Sequence, residues 1–202
     1  MADKDCSAQI VAAARKRFQH FGYGKTSMAD IAGDCGMSPG NIYRFFPGKL
    51  DIAEAIAIAD YKAHLEHLRR VGARPGISAR QKLRDVLVES LRRTYTRFQK
   101  DPRALELVQV VAAERPTFSD WMAHGERQIM MDVMEEGEDS GAFVLADRAF
   151  TAETIQSATL KFRLPKLWSE TSLPKLEREL EGVLNLLLEG LAGKSRAQRE
   201  IA

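Results

Sequence analysis

The chain has 202 residues, 45% of them apolar and 29% charged, and its 30 Lys and Arg against 28 Asp and Glu leave a formal net charge of +2. That balance excludes a disordered tail, a small disulfide-stapled scaffold and a strongly basic nucleic-acid coat, while the length allows one large or two small domains. No run of about 18 apolar residues offers a membrane span, and the first residues lack an apolar signal core, so the chain is expected in the cytoplasm without a membrane partner.

Helix signals dominate from the start, and sustained strand alternation is nearly absent, so the expected class is all-α. The first helix is expected from Cys6 to Phe21, with Ile10, Ala14, Phe18 and Phe21 on one face and Gly22 and Gly24 as its stop. Two short helices follow, Ser27 to Asp34 and Ser38 to Phe45, then a longer one from Gly48 to Arg70. The stretch Val71-Gly72-Ala73-Arg74-Pro75-Gly76 is the clearest break, because glycine and proline interrupt a helix. Beyond it the amphipathic segments are Ser78 to Lys100, Pro102 to Glu114, Thr117 to Asp139, Ala146 to Phe162 and Leu173 to Leu191. Prolines at 102 and 116 suit first helical turns. The whole reads as an N-terminal three-helix unit over 1–50, a linking helix over 48–71 and a C-terminal bundle over 72–202, about nine helices in total.

The sharpest signal lies between Met28 and Phe45. Ala32 offers the small contact that two steeply crossed helices need, Gly36 tolerates the positive φ of a tight turn, and Ile42 seals the pair. Counted from Met28 these stand at relative positions 5, 9 and 15, the pattern of a helix-turn-helix. Ser38 is placed to cap the second helix, with Pro39 in its first turn. Gly40 and Asn41 leave the helix tip small and polar, and Asn41 can hydrogen-bond a base edge. Thr26 or Ser27 caps the first helix, whose free N–H groups suit a phosphate. Lys49 opens the linking helix, where the dipole disfavours a cation and a phosphate would compensate. Residues 1–50 hold seven cations (Lys4, Arg15, Lys16, Arg17, Lys25, Arg44, Lys49) against four carboxylates (Asp3, Asp5, Asp30, Asp34). Arg15, Lys16 and Arg17 read equally as DNA-steering charges or as a solvated face.

From Ile10 to Ile56 the sequence resembles the TetR/AcrR family of bacterial transcriptional regulators, with Phe21, Gly22, Thr26, Ile31, Ala32, Gly36, Ser38, Gly40, Ile42, Tyr43, Phe46 and Lys49 at that family's spacing. The resemblance implies that Ser38, Pro39, Gly40, Asn41 and Arg44 face the major groove. It also implies that Tyr43 and Lys49 grip phosphates, and Lys25, Thr26 and Ser27 are added as backbone contacts. Phe45 departs from the His or Tyr often found there, since a phenyl ring cannot donate a hydrogen bond. The implied protein is a homodimeric repressor of a palindromic double-stranded operator, released by a small, apolar effector. The alternative is a helical small-molecule or partner-binding module without sequence-specific DNA binding.

The second region supplies the expected dimer and ligand sites. Leu176, Leu180, Leu184, Leu187 and Leu191 form one stripe of the last helix, widened by Val183, Leu186 and Leu188. Gly182, Leu186 and Gly190 share a face at spacing four, so with Phe150, Ile155, Ala158 and Phe162 they and Val183 compose a candidate dimer interface. Met122, Met130, Met131 and Met134 cluster with Phe118, Trp121 and His124, and Thr94, Phe98 and Gln109 are candidate further walls of a ligand pocket. His64 and His67 sit three apart but lack a third metal ligand, and Cys6 and Cys35 read as reduced structural thiols. No catalytic constellation and no cofactor motif is present in the sequence, so neither an enzyme nor a cofactor is expected.

Overall fold

The computed structural model describes the backbone of residues 2–168 and 171–191, with side chains from 5–168 and 171–190; the Leu191 side chain of the expected stripe lies outside the described residues. It is all-helical, with no strand among the described residues. The helices are α1 (Ala2–Phe21), α2 (Met28–Asp34), α3 (Pro39–Ile42), α4 (Lys49–Gly72), α5 (Ala79–Lys100), α6 (Pro102–Glu114), α7 (Pro116–Asp139), α8 (Arg148–Ala158), α9 (Leu160–Arg163) and α10 (Leu173–Leu191), with a short 3-10 helix over Pro165–Leu167. They divide into two compact units, one of residues 1–63 and 97–122, the other of 64–96 and 123–202.

The first unit is built on α1, α2 and α3, with the first part of α4, and it also takes in α6 and the start of α7. Ile10, Ala14 and Phe18 of α1 meet Ile31 and Ala32 of α2, Ile42 of α3, Ile52 and Ile56 of α4, Leu107 and Val111 of α6 and Phe118 of α7. Burying each large aliphatic or aromatic side chain contributes roughly 1.5–3 kcal/mol. Two glycines set the turns: Gly22 ends α1 at φ +88° and Gly36 joins α2 to α3 at φ +65°, both in the left-handed region. α6 restarts at Pro102, where the Asp101 side chain accepts from the Ala104 N–H.

The second unit encloses its own core. Leu176, Leu180, Leu184 and Leu188 of α10, each at most 1% exposed, pack with Leu83 and Leu91 of α5, Met130 and Met134 of α7, Ile155 of α8, Phe162 of α9 and Trp168. Leu188, rather than Leu187, continues the buried stripe, in keeping with four-residue spacing.

Two expected helices are shorter. The segment Ser38 to Phe45 is helical only over Pro39–Ile42, and Ala146 to Phe162 is broken at Thr159. The Thr159 hydroxyl donates to the Ile155 carbonyl at 2.6 Å, a local side-chain bond that competes with continuing the helix.

Candidate nucleic-acid interface and effector recess

α2 is held at its start by a reciprocal cap. The Ser27 hydroxyl accepts from the Asp30 N–H at 3.1 Å while the Asp30 carboxylate accepts from the Ser27 N–H at 2.9 Å and from its hydroxyl at 2.7 Å. These bonds, from the Ser27 hydroxyl first, hold the Asp30 carboxyl below its usual range. Ser27, not Thr26, is therefore the cap, and a carboxylate stands at the helix start expected to receive a phosphate. Thr26 is 3% exposed and its hydroxyl donates to the Gly22 carbonyl at 3.0 Å, so its side chain closes the α1–α2 loop rather than facing a ligand.

α3 is presented differently. Ser38 takes the N-cap position, but its side chain makes no cap bond; Pro39 begins the helix, where the N–H it lacks would have no intrahelical acceptor. Ser38, Pro39 and Gly40 are exposed, Asn41 is half-buried, and Ile42 alone is fully buried. Just past the helix Tyr43 is 54% exposed, and Arg44 Nη1 donates to Asn41 Oδ1 at 3.4 Å. The structure thus brings together Asn41, Tyr43 and Arg44 at one end of α3. Phe45 is partly buried against the core of its unit, which accounts for a ring without a donor.

Lys49 has partners within its own unit. Its Nζ donates at 2.8 Å to the carbonyls of both Tyr23 and Thr26 and lies 4.2 Å from the centre of the Tyr23 ring. The carbonyls compensate the cation at the start of α4, and the residue ties that helix to the α1–α2 loop. Burial raises the Tyr23 phenol above its ordinary value, so the ring stays neutral beneath the ammonium.

Of the three adjacent cations of α1, Arg15 pairs with Asp60 at 2.7 Å and Arg17 with Asp34 at 2.6 Å, while Lys16 is exposed. The Asp34 carboxyl is held low by the Arg17 hydrogen bond. Lys25 is exposed. Burial pushes the Cys35 thiol up, which disfavours the reactive thiolate.

The expected pocket residues do not form one wall. Phe118 is buried in the first unit, Trp121 meets the rings of Tyr61 and Phe118, and the Met122 carbonyl accepts from Tyr61 at 2.9 Å. Phe98, beneath the Arg97 guanidinium, and half-buried Gln109 belong to that unit as well. Met130 and Met134 are buried in the second unit, where Met131 packs on the core, Thr94 is half-buried and His124 is exposed. α7 changes its packing partners along its length, so its methionines serve two cores.

A small recess does exist within the second unit, and of the expected pocket residues only Met130 lines it, beside Phe162. Leu68, Val86, Leu87, Leu91 and Leu180 supply the rest of its apolar wall; Ser90, Glu126, Gln156, Thr159 and Arg163 supply polar groups. Arg163 Nε donates to Glu126 Oε2 at 2.5 Å, and His64 Nε2 lies 3.4 Å from Ser90 Oγ and 3.7 Å from Glu126 Oε1. His64 is 7% exposed, so it is a buried polar partner rather than half of a solvated surface pair. His67 meets Glu89 at 2.9 Å, and no metal-holding cluster occurs among the described residues. Glu126 and Arg163 stand 37 residues apart on α7 and α9, too distant for spacing to connect them.

The expected dimer residues divide as well. Ile155 and Phe162 are buried within their own unit, whereas Ala158, Gly182, Leu186 and Gly190 are exposed and Val183 is half-buried. A Cβ at Gly182 or Gly190 would meet nothing within 4 Å, and Leu186 is 75% exposed. Phe150 and Leu160 are also exposed large apolar groups.

An all-helical chain with a short helix presented on a glycine turn is a helix-turn-helix protein. The family model for bacterial regulatory proteins of the tetR family matches residues 10–56, and that for the tetracyclin repressor-like C-terminal domain matches 79–184. The chain therefore belongs to the tetR family of bacterial regulatory proteins, and it is a ligand-responsive transcriptional regulator. Its fold is similar to that of a TetR/AcrR-family regulator from Thermobifida fusca, with 26% identity, a TM-score of 0.67 and coverage of 92% of this chain and 98% of that one. A transcriptional regulator from Cytophaga hutchinsonii shares 23% identity at a TM-score of 0.68, covering 91% of this chain and 97% of that one. FadR from Thermus thermophilus, a TetR-family transcriptional repressor in complex with lauroyl-CoA, shares 19% identity at a TM-score of 0.65, with 94% and 96% covered. No curated protein matches the sequence. Among the described residues no helix is long and apolar enough to cross a membrane.

Proposed function

We propose that this protein is a cytoplasmic, homodimeric repressor that reads a palindromic operator with residues 38–44 and releases it when a small molecule enters the second unit. Tyr43, more than half exposed, and Arg44 beside Asn41 carry the proposal, because a short helix ending in an exposed aromatic, a guanidinium and an amide suits the edge of a major groove. Ser38, Pro39 and Gly40 keep its tip low, and Lys25 is an exposed cation for the DNA backbone. Thr26, Ser27 and Lys49 act by holding the reading helices in place.

Pairing supplies the second half-site. Exposed Leu186 between Gly182 and Gly190 on α10 supports a second copy as the partner, since glycines permit close helix approach. Two heads spaced about 34–36 Å apart, or a multiple of that, would enter successive major grooves on one side of the duplex. A ligand that favours another spacing weakens DNA binding, and DNA weakens the ligand to the same degree.

A mobility-shift titration on DNA upstream of the protein's own gene tests this. Retardation that falls steeply with added salt is expected. Equal affinity for this DNA and for unrelated duplex would overturn it and leave a helical binding module.

A further inference from the structure

We propose, resting on the homodimer reading above, that two copies of α10 pair antiparallel across Gly182, kept in that register by Lys175 of each copy facing Glu189 of the other. The helix buries one face in its own unit through Leu176, Leu180, Leu184 and Leu188. On the opposite face Lys175, Gly182 and Glu189 are exposed and follow one another at seven-residue steps, close to two helical turns, so they stand in one line. Leu186, beside that line, is 75% exposed, more than any other large apolar side chain among the described residues.

Two features of this face find no use within a single chain. A Cβ at Gly182 would meet nothing within 4 Å, whereas Gly125 and Gly137 of α7 are required by Leu65 and Phe143, whose atoms would lie 2.6 and 2.1 Å from a Cβ. Glycine weakens a helix relative to alanine, so at an open position it points to a backbone approached from outside. The charges are the second feature. Glu177 of α10 is paired with Arg92, Glu179 with Lys161 and Glu181 with Arg84. Lys175, Arg178 and Glu189 are all exposed and make no ion pair among the described residues; Lys175 adds only a longer-range attraction to Glu179.

Lys175 and Glu189 are placed symmetrically, each seven residues from Gly182 and therefore about 10 Å from it along the axis. A parallel pair would set lysine against lysine and glutamate against glutamate. An antiparallel pair crossing at Gly182 sets each Lys175 against the partner's Glu189 and makes two ion pairs related by the two-fold axis. The same register brings Leu186 to the gap left by the partner's Gly182 and along the methylenes of the partner's Arg178, so the most open leucine leaves water in both copies. The face is complementary to itself, and the occupant it fits is a second copy of this chain.

Charge reversal in the full-length protein, read by sedimentation over a concentration series, tests the register. Lys175→Glu or Glu189→Lys alone turns each attraction into a repulsion and is expected to weaken pairing at least about tenfold. The double variant restores pairing to near the parent's strength, and so does an equimolar mixture of the two single variants. Gly182→Cys is expected to form a disulfide with its own copy under mild oxidation, because the crossing point brings the two Cα atoms within bonding range. Leu186→Cys is not, since antiparallel pairing holds the two copies of that position about 12 Å apart along the axis. The parent, with its free Cys6 and Cys35, is the control. Circular dichroism checks the fold of each variant, and the two cysteine variants decide alone if a charge variant does not fold. A monomeric parent, single reversals that pair like the parent, or cross-linking of Leu186→Cys in place of Gly182→Cys overturns the proposal. Retardation of DNA separates the two levels: pairing in this register without DNA binding defeats only the repressor reading, whereas a DNA-binding dimer indifferent to both reversals defeats only the register.

Discussion

Phe143 occupies the space that a side chain at Gly137 would need: a Cβ there would lie 2.1 Å from Phe143 Cδ2 and 2.5 Å from Cε2. The Gly137 carbonyl also accepts from the Ala142 and Phe143 N–H groups at 2.8 and 3.0 Å, so the turn that ends α7 folds back onto this one residue. Alanine would gain about 1 kcal/mol of helix propensity, but overpacking a buried ring costs typically 1–3 kcal/mol. The ring is 3% exposed and three of its atoms would lie within 3.0 Å of the new Cβ, so the clash wins. Gly137→Ala is expected to lower the melting temperature by several degrees. A rise on thermal denaturation would show that the ring yields.

Lys49 separates a structural from a DNA-contacting role. Removing an ammonium that serves two carbonyls should cost about 2 kcal/mol, as hydrogen bonds to charged groups contribute roughly 1.5–3 kcal/mol. Urea denaturation of Lys49→Met is expected to show that loss. Undiminished stability with a salt dependence of DNA binding shallower by about one charge would assign the residue to a phosphate instead.

The cap of α2 makes the reading helices sensitive to acid. Ser27 holds Asp30 below its ordinary value and Arg17 does the same for Asp34. Depressed folded-state values mean stabilisation that is present above the unfolded value near pH 4 and lost as pH falls through the lower folded values. The stability difference between the parent and Ser27→Ala should therefore be largest near neutral pH and shrink below about pH 4. Amide hydrogen exchange across α2 measures it, and a difference that stays constant into strong acid would remove the carboxylate from the explanation.

At the proposed reading tip, Asn41→Ala should relax base choice at one operator position, where a good bidentate contact discriminates by about 1–3 kcal/mol. Lys25→Ala should weaken all duplexes alike and flatten the salt dependence by about one charge. A binding-site selection with each variant distinguishes the two patterns; identical selected sites and equal affinities would exclude both residues from the interface.

Two leucines two positions apart on α10 should answer differently. Leu184, 1% exposed, is core, and Leu184→Ala is expected to cost about 2–5 kcal/mol of stability. Leu186 lies on the open face, and Leu186→Glu should leave the helix content intact while sedimentation equilibrium reports monomers. A variant that still pairs at the parent's concentration would move the dimer contact elsewhere.

Local signals are legible in the sequence. Gly36 adopts its left-handed turn, Ala32 is fully buried and Pro102 begins a helix, because each depends on backbone geometry within a few residues. Features set by distant partners were not legible. Lys49 meets carbonyls 23 and 26 residues away, and dipole reasoning alone invited a phosphate. The methionines of α7 share a helix but not a core, since periodicity shows which residues face inward and not which body receives them. The pair at the recess is not legible in the sequence, because Glu126 and Arg163 look like two ordinary surface charges until α7 and α9 are packed together.

Helix α3 leans on its support through Ile42 and leaves its other three residues, with Ser38, Tyr43 and Arg44 flanking them, outside the core. Under the proposed reading, recognition and folding are thus written in different positions. If the proposed head reads DNA, it could be retargeted to a new site by recoding its outward letters, while one inward isoleucine and the glycine hinge before it keep the scaffold unchanged.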